Sequence, residues 1–351
     1  MSKTDQHIEI VRSTKRGLSS MSSRSAEPLL EVLRLRYSNV RITIINCLDD
    51  LNALIERQPD LVFLGMKFVP KNPALGFHDP NKIWLADYLD LHNISYTGSN
   101  HTAHVHELNK HMAKQKVLEA GLNTSNFYVA KCDQPQTWSN MPLSYPIFIK
   151  PSNRGGGQGI DSDSVAHNEE QMLKKIGHIA TNLNADSLIE EYLPGREFSV
   201  AILADSSSTN YFVMPIELIA PKDIHGERIL SSQVKMADTE SNQEVTDRIL
   251  RAKINTLAIN VFNALGARDY GRIDIRLDSS GVPQFLEANL IPSLINGYGN
   301  FPKACMLNKG IGYEQMIFCI IDLAFTRTPN LVINELESDL IPSLLTEPLA
   351  I

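Results

Sequence analysis

The most constraining stretch of this chain is an apolar run, Ile147-Phe148-Ile149, that carries Lys150 straight into Pro151-Ser152-Asn153-Arg154-Gly155-Gly156-Gly157-Gln158-Gly159. β-Branched and aromatic residues bounded by turn residues read as a strand. The backbone that follows has almost no Cβ atoms. Gly155, Gly156, Gly157 and Gly159 can therefore turn N–H groups toward an anion at close range, as phosphate-cradling loops do. Lys150 would add a point charge beside them. The loop is not a Walker A motif, because no Gly-Lys-Ser/Thr follows, and it does not open a helix as a dinucleotide fingerprint should. Taken alone, it also fits a mobile hairpin tip.

Three further stretches give that loop a context. Asn109-Lys110, on a predicted helix over His106–Ala120, offers a second lysine. Ser187–Leu203 reads as strand, Pro194-Gly195 turn and strand; the backbone of Glu190, Glu191, Tyr192 and Leu193 can face a heterocycle edge, and Glu197 can accept hydroxyl hydrogen bonds. Gly271-Arg272-Ile273-Asp274 and Leu286-Glu287-Ala288-Asn289 flank a Ser-Ser-Gly-Val-Pro turn and predict a hairpin. Strand alternation puts Arg272 with Asp274, and Glu287 with Asn289. If those faces coincide, two carboxylates, an amide oxygen and a guanidinium converge, an oxygen-rich set suited to Mg²⁺. A salt bridge from Arg272 to the acids is the plainer alternative.

Organisation along the chain predicts an α/β fold. Strand signals at His7–Val11, Val40–Ile45 and Leu61–Leu64 alternate with helical ones at Ala26–Arg36, Asp49–Arg57 and Ile83–His92. That alternation implies a parallel sheet with helical crossovers over residues 1–104. Residues 105–186 predict a small α+β lobe holding the glycine loop. Residues 187–327 predict strands at Ser187–Glu191, Phe198–Leu203, Tyr211–Glu217, Ile273–Leu277 and Gln284–Glu287, with helices at Val245–Leu265 and Gly312–Phe325. Residues 328–351, with three prolines, predict a C-terminal extension.

Composition excludes more than it selects. A net charge of -7 without a basic block argues against nucleic acid as partner. No apolar run reaches the roughly 18–20 residues that span a bilayer, and the first residues lack a signal peptide's apolar core. Four scattered cysteines without metal spacing read as reduced thiols, so the expected location is the cytoplasm.

Together, in this order, the motifs resemble the ATP-grasp superfamily, and most closely its D-alanine–D-alanine ligase branch. The resemblance runs from about Tyr96 to Phe325. It implies a three-lobed ATP-grasp fold, with ATP between the central and C-terminal lobes. It further implies that Lys110 and Lys150 touch phosphates, that Glu190–Leu193 holds adenine and that Glu197 holds ribose. Asp274, Glu287 and Asn289 would ligate two Mg²⁺ ions, and Arg272 would stabilise the transferring phosphoryl group. The implied reaction joins a carboxylate to an amine through an acylphosphate, with ADP released. Family members are often dimers, which extends to this chain only as an expectation.

The first-substrate half departs from the pattern. The family's Gly-Gly-x-Ser-x-Glu-x-x-Val-Ser stretch reads Val11-Arg-Ser-Thr-Lys-Arg-Gly-Leu-Ser-Ser-Met here, with no acid before Glu27. Its His-Gly segment becomes Leu64-Gly-Met-Lys-Phe-Val-Pro, and its Thr-x-Pro-Gly-Met-Thr becomes Leu290-Ile-Pro-Ser-Leu-Ile. Lys15, Arg16, Arg24 and Lys67 stand where they can face a carboxylate-rich substrate. Pro221–Met236, with Lys222, His225 and Lys235, falls where the family has its covering loop. The expectation is a ligase for small carboxylate and amine substrates other than D-alanine. An authentic D-alanine–D-alanine ligase, an enzyme using another nucleophile and a non-catalytic ATP-binding regulator are the alternatives.

Overall fold

The computed structural model describes residues 3–15, 17–134, 143–205, 210–223, 226–237 and 239–327. The expected C-terminal extension, Arg16 and His225 lie outside them.

The first hundred residues form the parallel sheet that their alternation predicts. β1 (Thr4–Arg12), α1 (Ser23–Arg36), β2 (Tyr37–Ile44), α2 (Leu48–Glu56) and β3 (Leu61–Leu64) lead through β4 (Phe68–Pro70), β5 (Lys82–Trp84) and α3 (Leu85–Leu91) to β6 (Ser95–Tyr96). The main sheet has the order β2-β1-β3-β6, and β4 pairs with β5 in a separate hairpin. β1 is buried on both faces: Ile8 and Ile10 pack with Leu29 and Leu33 of α1, and Val11 packs with Leu51 and Leu54 of α2. The predicted helix at Ile83–His92 is shorter than expected because Lys82–Trp84 pairs with β4 before the helix begins.

The central elements are α4 (His101–Leu108), α5 (Lys110–Glu119), β7 (Phe127–Ala130), β8 (Ile147–Pro151), β9 (Val165–Ala166), α6 (Glu169–Leu183) and β10 (Ser187–Glu191). The single helix predicted over His106–Ala120 is two. Asn109 takes extended dihedrals (φ -111, ψ 91), closing α4 and starting α5 at Lys110. The strand Ser187–Glu191, assigned by sequence to the third lobe, pairs with β7 and β8. The chain therefore changes sheets at Tyr192–Arg196 rather than at 186/187. Met172 and Ile179 of α6 cover Ile147, Ile149 and Ile189 in a small separate core.

β11 (Glu197–Ala204), β12 (Tyr211–Ile219), α7 (Ser232–Ala237), β13 (Ser241–Glu244), α8 (Arg248–Ala264), β14 (Tyr270–Leu277), β15 (Pro283–Asn289), α9 (Asn300–Lys309) and α10 (Tyr313–Thr326) complete the described chain. Their antiparallel sheet has the order β13-β12-β11-β14-β15. One face packs on α5 and α8 through Val200, Ile273, Ile254 and Phe262. On the other, Ala201, Met214 and Ile216 share one core with Leu29 of α1, Phe301 of α9 and Ile317 of α10. The first and third sheets are thus joined by continuous apolar packing, and the central sheet keeps its own core. Among the described residues no helix is long and apolar enough to cross a membrane.

Candidate active site

The register of β14 builds the site. Arg272 stands opposite Asn289 and Asp274 opposite Glu287 on β15, while Ser199 and Glu197 of β11 stand opposite Asp274 and Arg276. Period-two alternation therefore brings all of these to one face. The two faces that the sequence could only suppose to coincide do coincide. Two residues further along β11 the same face reaches Ala201 and enters the apolar core. The polar stretch ends where the first lobe covers the sheet.

Facing it across a cleft are β8 and β10 of the central sheet. Phe148, Lys150, Ile160, Glu190, Tyr192, Leu193, Glu197, Ile229, Leu230, Lys235, Asp274, Arg276, Leu286 and Glu287 line this cleft. Lys150 Nζ lies 2.7 Å from one Glu190 oxygen and Lys114 Nζ 2.6 Å from the other. Lys110, first residue of α5, donates its backbone N–H to Ser152 O and its ammonium to Arg154 O, and lies 3.5 Å from Glu287. It thereby ties α5 to the start of the glycine loop. Burial pushes the Lys110 ammonium below its ordinary value. Burial also acts against charge on Lys150, but Glu190 and Glu287 more than offset it and hold that ammonium above the ordinary range.

Asp274 is engaged by Arg272 through two bonds of 2.9 Å, by Ser199 Oγ at 2.8 Å and by Asn289 Nδ2 at 3.0 Å. The plain salt-bridge alternative is therefore present, but along one strand rather than across two. Burial works to protonate Glu287, while Lys110, Lys150, Lys235 and Arg272 outweigh it and keep its carboxyl below the ordinary range. Among the described residues no group of three or more His, Cys, Asp or Glu side chains forms a metal cluster. Asp274, Glu287 and the amide of Asn289 still fit Mg²⁺, which takes one or two carboxylates and fills its shell with water and phosphate oxygens. A half-turn of the Asn289 amide would present Oδ1 in place of Nδ2.

In the glycine loop, Gly156, Gly157 and Gly159 adopt φ of +65°, +77° and +76°. A Cβ at Gly159 would strike Pro151 and Leu183, so this residue serves packing, whereas Gly155 and Gly156 face open space. A Cβ at Gly157 would come within 3.1 Å of Ser232 N. The loop and α7, inside the predicted covering segment, therefore lie against each other. Glu191 is exposed at the rim.

Sequence reasoning missed several residues here. Lys114 is one helical turn from Lys110, a spacing that places both on one face. Arg276 continues the 272, 274 alternation. Glu107 carried no local signal: it accepts from Leu290 N at 2.9 Å and pairs with Lys67 at 3.2 Å, joining the first lobe to the chain just after Asn289. Burial would raise its carboxyl, but Lys67, His104 and the Leu290 N–H more than offset that and hold it at about 2. A carboxylate lowered in the fold stabilises fully above its ordinary value and loses that contribution as pH falls toward the folded value. Urea-unfolding free energy should therefore drop between pH 4.5 and about 2, and Glu107→Gln should flatten that drop. An unchanged slope in the variant would remove Glu107 as its source.

The family model for the D-ala D-ala ligase C-terminus matches residues 117–322, more than half of the chain. This chain belongs to the D-alanine–D-alanine ligase family. It is an ATP-grasp ligase and an enzyme, which sets aside the non-catalytic regulator. The D-alanine–D-alanine ligase of Gloeobacter violaceus is 27% identical over 319 residues, covering 88% of this chain and 95% of that protein. A protein of Sinorhizobium fredii named y4sG is 28% identical over 243 residues, covering 68% and 69%. The crystal structure of D-alanine–D-alanine ligase from Bacillus anthracis complexed with ATP superposes with a TM-score of 0.70 at 16% identity, over 91% of this chain and 97% of that one. The match in architecture extends through the first lobe, where the family's sequence motifs are absent.

Proposed function

We propose that this ligase joins a small carboxylate to a small amine at the expense of ATP, and that D-alanine is not its preferred substrate. The observation that carries the chemistry is the face on which Arg272, Asp274, Glu287 and Asn289 stand opposite one another, with Lys110 and Lys150 buried beside it. In this reading the nucleotide lies in the cleft with its base against Phe148, Leu193 and Leu286, the Glu190–Leu193 backbone at its edge, its ribose at Glu197 and its phosphates toward the glycine loop.

The substrate carboxylate oxygen attacks the γ-phosphorus, the bond to the β-phosphate oxygen breaks, and ADP leaves. The amine then attacks the acyl carbon of the acylphosphate, loses a proton and expels phosphate. Lys110, Lys150 and Arg272 hold negative charge that develops on oxygen in both steps, so positioning and fixed electrostatics do most of the catalysis. Magnesium, held by Asp274, Glu287 and Asn289, would neutralise phosphate charge there. The closeness of α7 to Gly157 supports a covering segment that excludes water from the acylphosphate.

Support for a changed substrate lies in the first lobe. The loop between β1 and α1 has no carboxylate to receive an ammonium group. Three cations stand beside it: Lys15 is exposed, Arg24 lies over the Tyr298 ring, and Lys67, paired with Glu107, reaches Ser20. This charge pattern suits a substrate with an extra carboxylate. The second reading, an authentic D-alanine–D-alanine ligase, is favoured by the names of relatives 26–29% identical. Phosphate release and product mass should be followed with Mg-ATP and a panel of L- and D-amino acids, dicarboxylic ones included. One pair that yields stoichiometric ADP, phosphate and amide supports the proposal. Dipeptide from D-alanine alone would overturn its substrate half, and no amide from any pair would count against its reaction.

A further inference from the structure

Arg276 has no part in the chemistry above, yet it is buried in the same cleft. It follows Arg272 and Asp274 on the cleft face of β14, one step farther from the phosphate end, and stands opposite Glu197 on β11. Its guanidinium donates to Glu197 Oε2 at 3.2 Å and to the carbonyl of Gly195 at 3.2 Å, and it lies 5.6 Å from the centre of the Tyr192 ring. Only 8% of the residue is exposed. The three groups it touches belong to the short segment where the chain passes from the central sheet to the third one. That segment is tightly fixed: Gly195 N–H donates to Leu277 O, Leu277 N–H donates to Arg196 O, and a Cβ at Gly195 would come within 2.5 Å of Leu277 O.

We infer that Arg276 is a positioning residue for nucleoside recognition, holding Glu197 so that nucleotide binding depends on the ribose hydroxyls. The inference rests on the reading that the nucleotide occupies this cleft with its ribose at Glu197. A carboxylate with both oxygens free can swing between rotamers and lose the geometry of a hydroxyl bond. Here one oxygen is taken by a guanidinium that is itself fixed by a carbonyl and an aromatic face, and the other is left to accept. Arginine's rigid fork can satisfy Glu197 and Gly195 O together, which a single ammonium cannot do as fully. The pair also forms a wall shared with a neighbouring cavity lined by Arg196, Glu217, Ala220 and Arg228. Without Arg276, Glu197 would be free to turn into that cavity and pair with a cation there.

The test measures binding of ATP and of 2′,3′-dideoxy-ATP, with Mg²⁺, to the full chain by calorimetry, in the native protein and in Arg276→Met and Arg276→Lys. A hydrogen bond to a charged group sets the expected scale at about tenfold or more in favour of ATP in the native protein. In Arg276→Met that preference should fall to within about threefold through lost ATP affinity, with dideoxy-ATP binding nearly unchanged. Arg276→Lys should keep part of the preference. Equal loss for both nucleotides would show a purely structural role and overturn the inference, as would an undiminished preference in Arg276→Met. If the native protein binds ATP without discriminating, the inference alone fails. If it does not bind ATP, the cleft reading fails and takes the inference with it.

Discussion

Replacing Glu287 by Gln is expected to lower kcat/KM for the ATP-dependent reaction by about 10³-fold while leaving the protein folded, a loss equivalent to about 4 kcal/mol of transition-state stabilisation. Gln keeps the volume and removes the charge that faces Asp274 across the β14–β15 pair. The fold should survive because Lys110 retains Arg154 O as a hydrogen-bond acceptor, and the apolar neighbours Phe285 and Ala288 are untouched. Asp274 keeps Arg272, Ser199 and Asn289. If Glu287 is a metal ligand, the residual activity should need a higher Mg²⁺ concentration, and kcat should fall more than ATP affinity. Steady-state kinetics over a magnesium series, with thermal unfolding as the control for folding, decide it. Activity within tenfold of native at the usual magnesium concentration would remove Glu287 from the phosphate and metal machinery.

The parts of this site that could be read from the sequence are those whose geometry is local. Alternation within a strand paired Arg272 with Asp274 and Glu287 with Asn289, and a strand running into glycines marked the loop after Lys150. The strand Leu61–Leu64 is found where its apolar run predicts it. What could not be read depends on which strands become neighbours. Ser199 meets Asp274 only because β11 pairs with β14, across a separation of 75 residues. Glu107 meets Leu290 N across 183 residues. The assignment of Ser187–Glu191 failed for the same reason: a strand followed by a tight turn and another strand reads as one hairpin, yet here the turn links two sheets. The break at Asn109 was hidden by helix formers on both sides. It follows from an extended Asn109 placing Lys110 where its N–H meets Ser152 O.

The same dependence on pairing governs the most consequential buried charge. Glu190 is 2% exposed and receives Lys114, Lys150 and Ser125. Lys114 is 0% exposed; besides Glu190 its ammonium has Thr124 Oγ1, Ser125 Oγ and Phe285 O as acceptors. Glu190→Gln should therefore take from two buried ammonium groups the carboxylate that contacts both, a change that costs about 3–5 kcal/mol of folding stability. Its pH dependence follows from Lys114. Burial lowers that lysine, Glu190 partly restores it, and it stands at about 8 in the native fold. A lysine whose folded value lies below its unfolded one gains stability as pH rises between the two. Without Glu190 the folded value falls further and that window opens at lower pH. The deficit of the variant should thus be largest at low pH, shrink as pH rises toward 8 and stay small above it, where Lys114 is neutral in both folded proteins. Urea denaturation at pH 6.5 and 9 (rough brackets around the folded value) measures this. Mg-ATP should stabilise the variant more than the native protein if Lys150 meets phosphate, because the nucleotide then supplies the missing anion. A variant as stable as native at both pH values would mean that Lys114 and Lys150 find other anions, and Glu190 would cease to be the centre of the network.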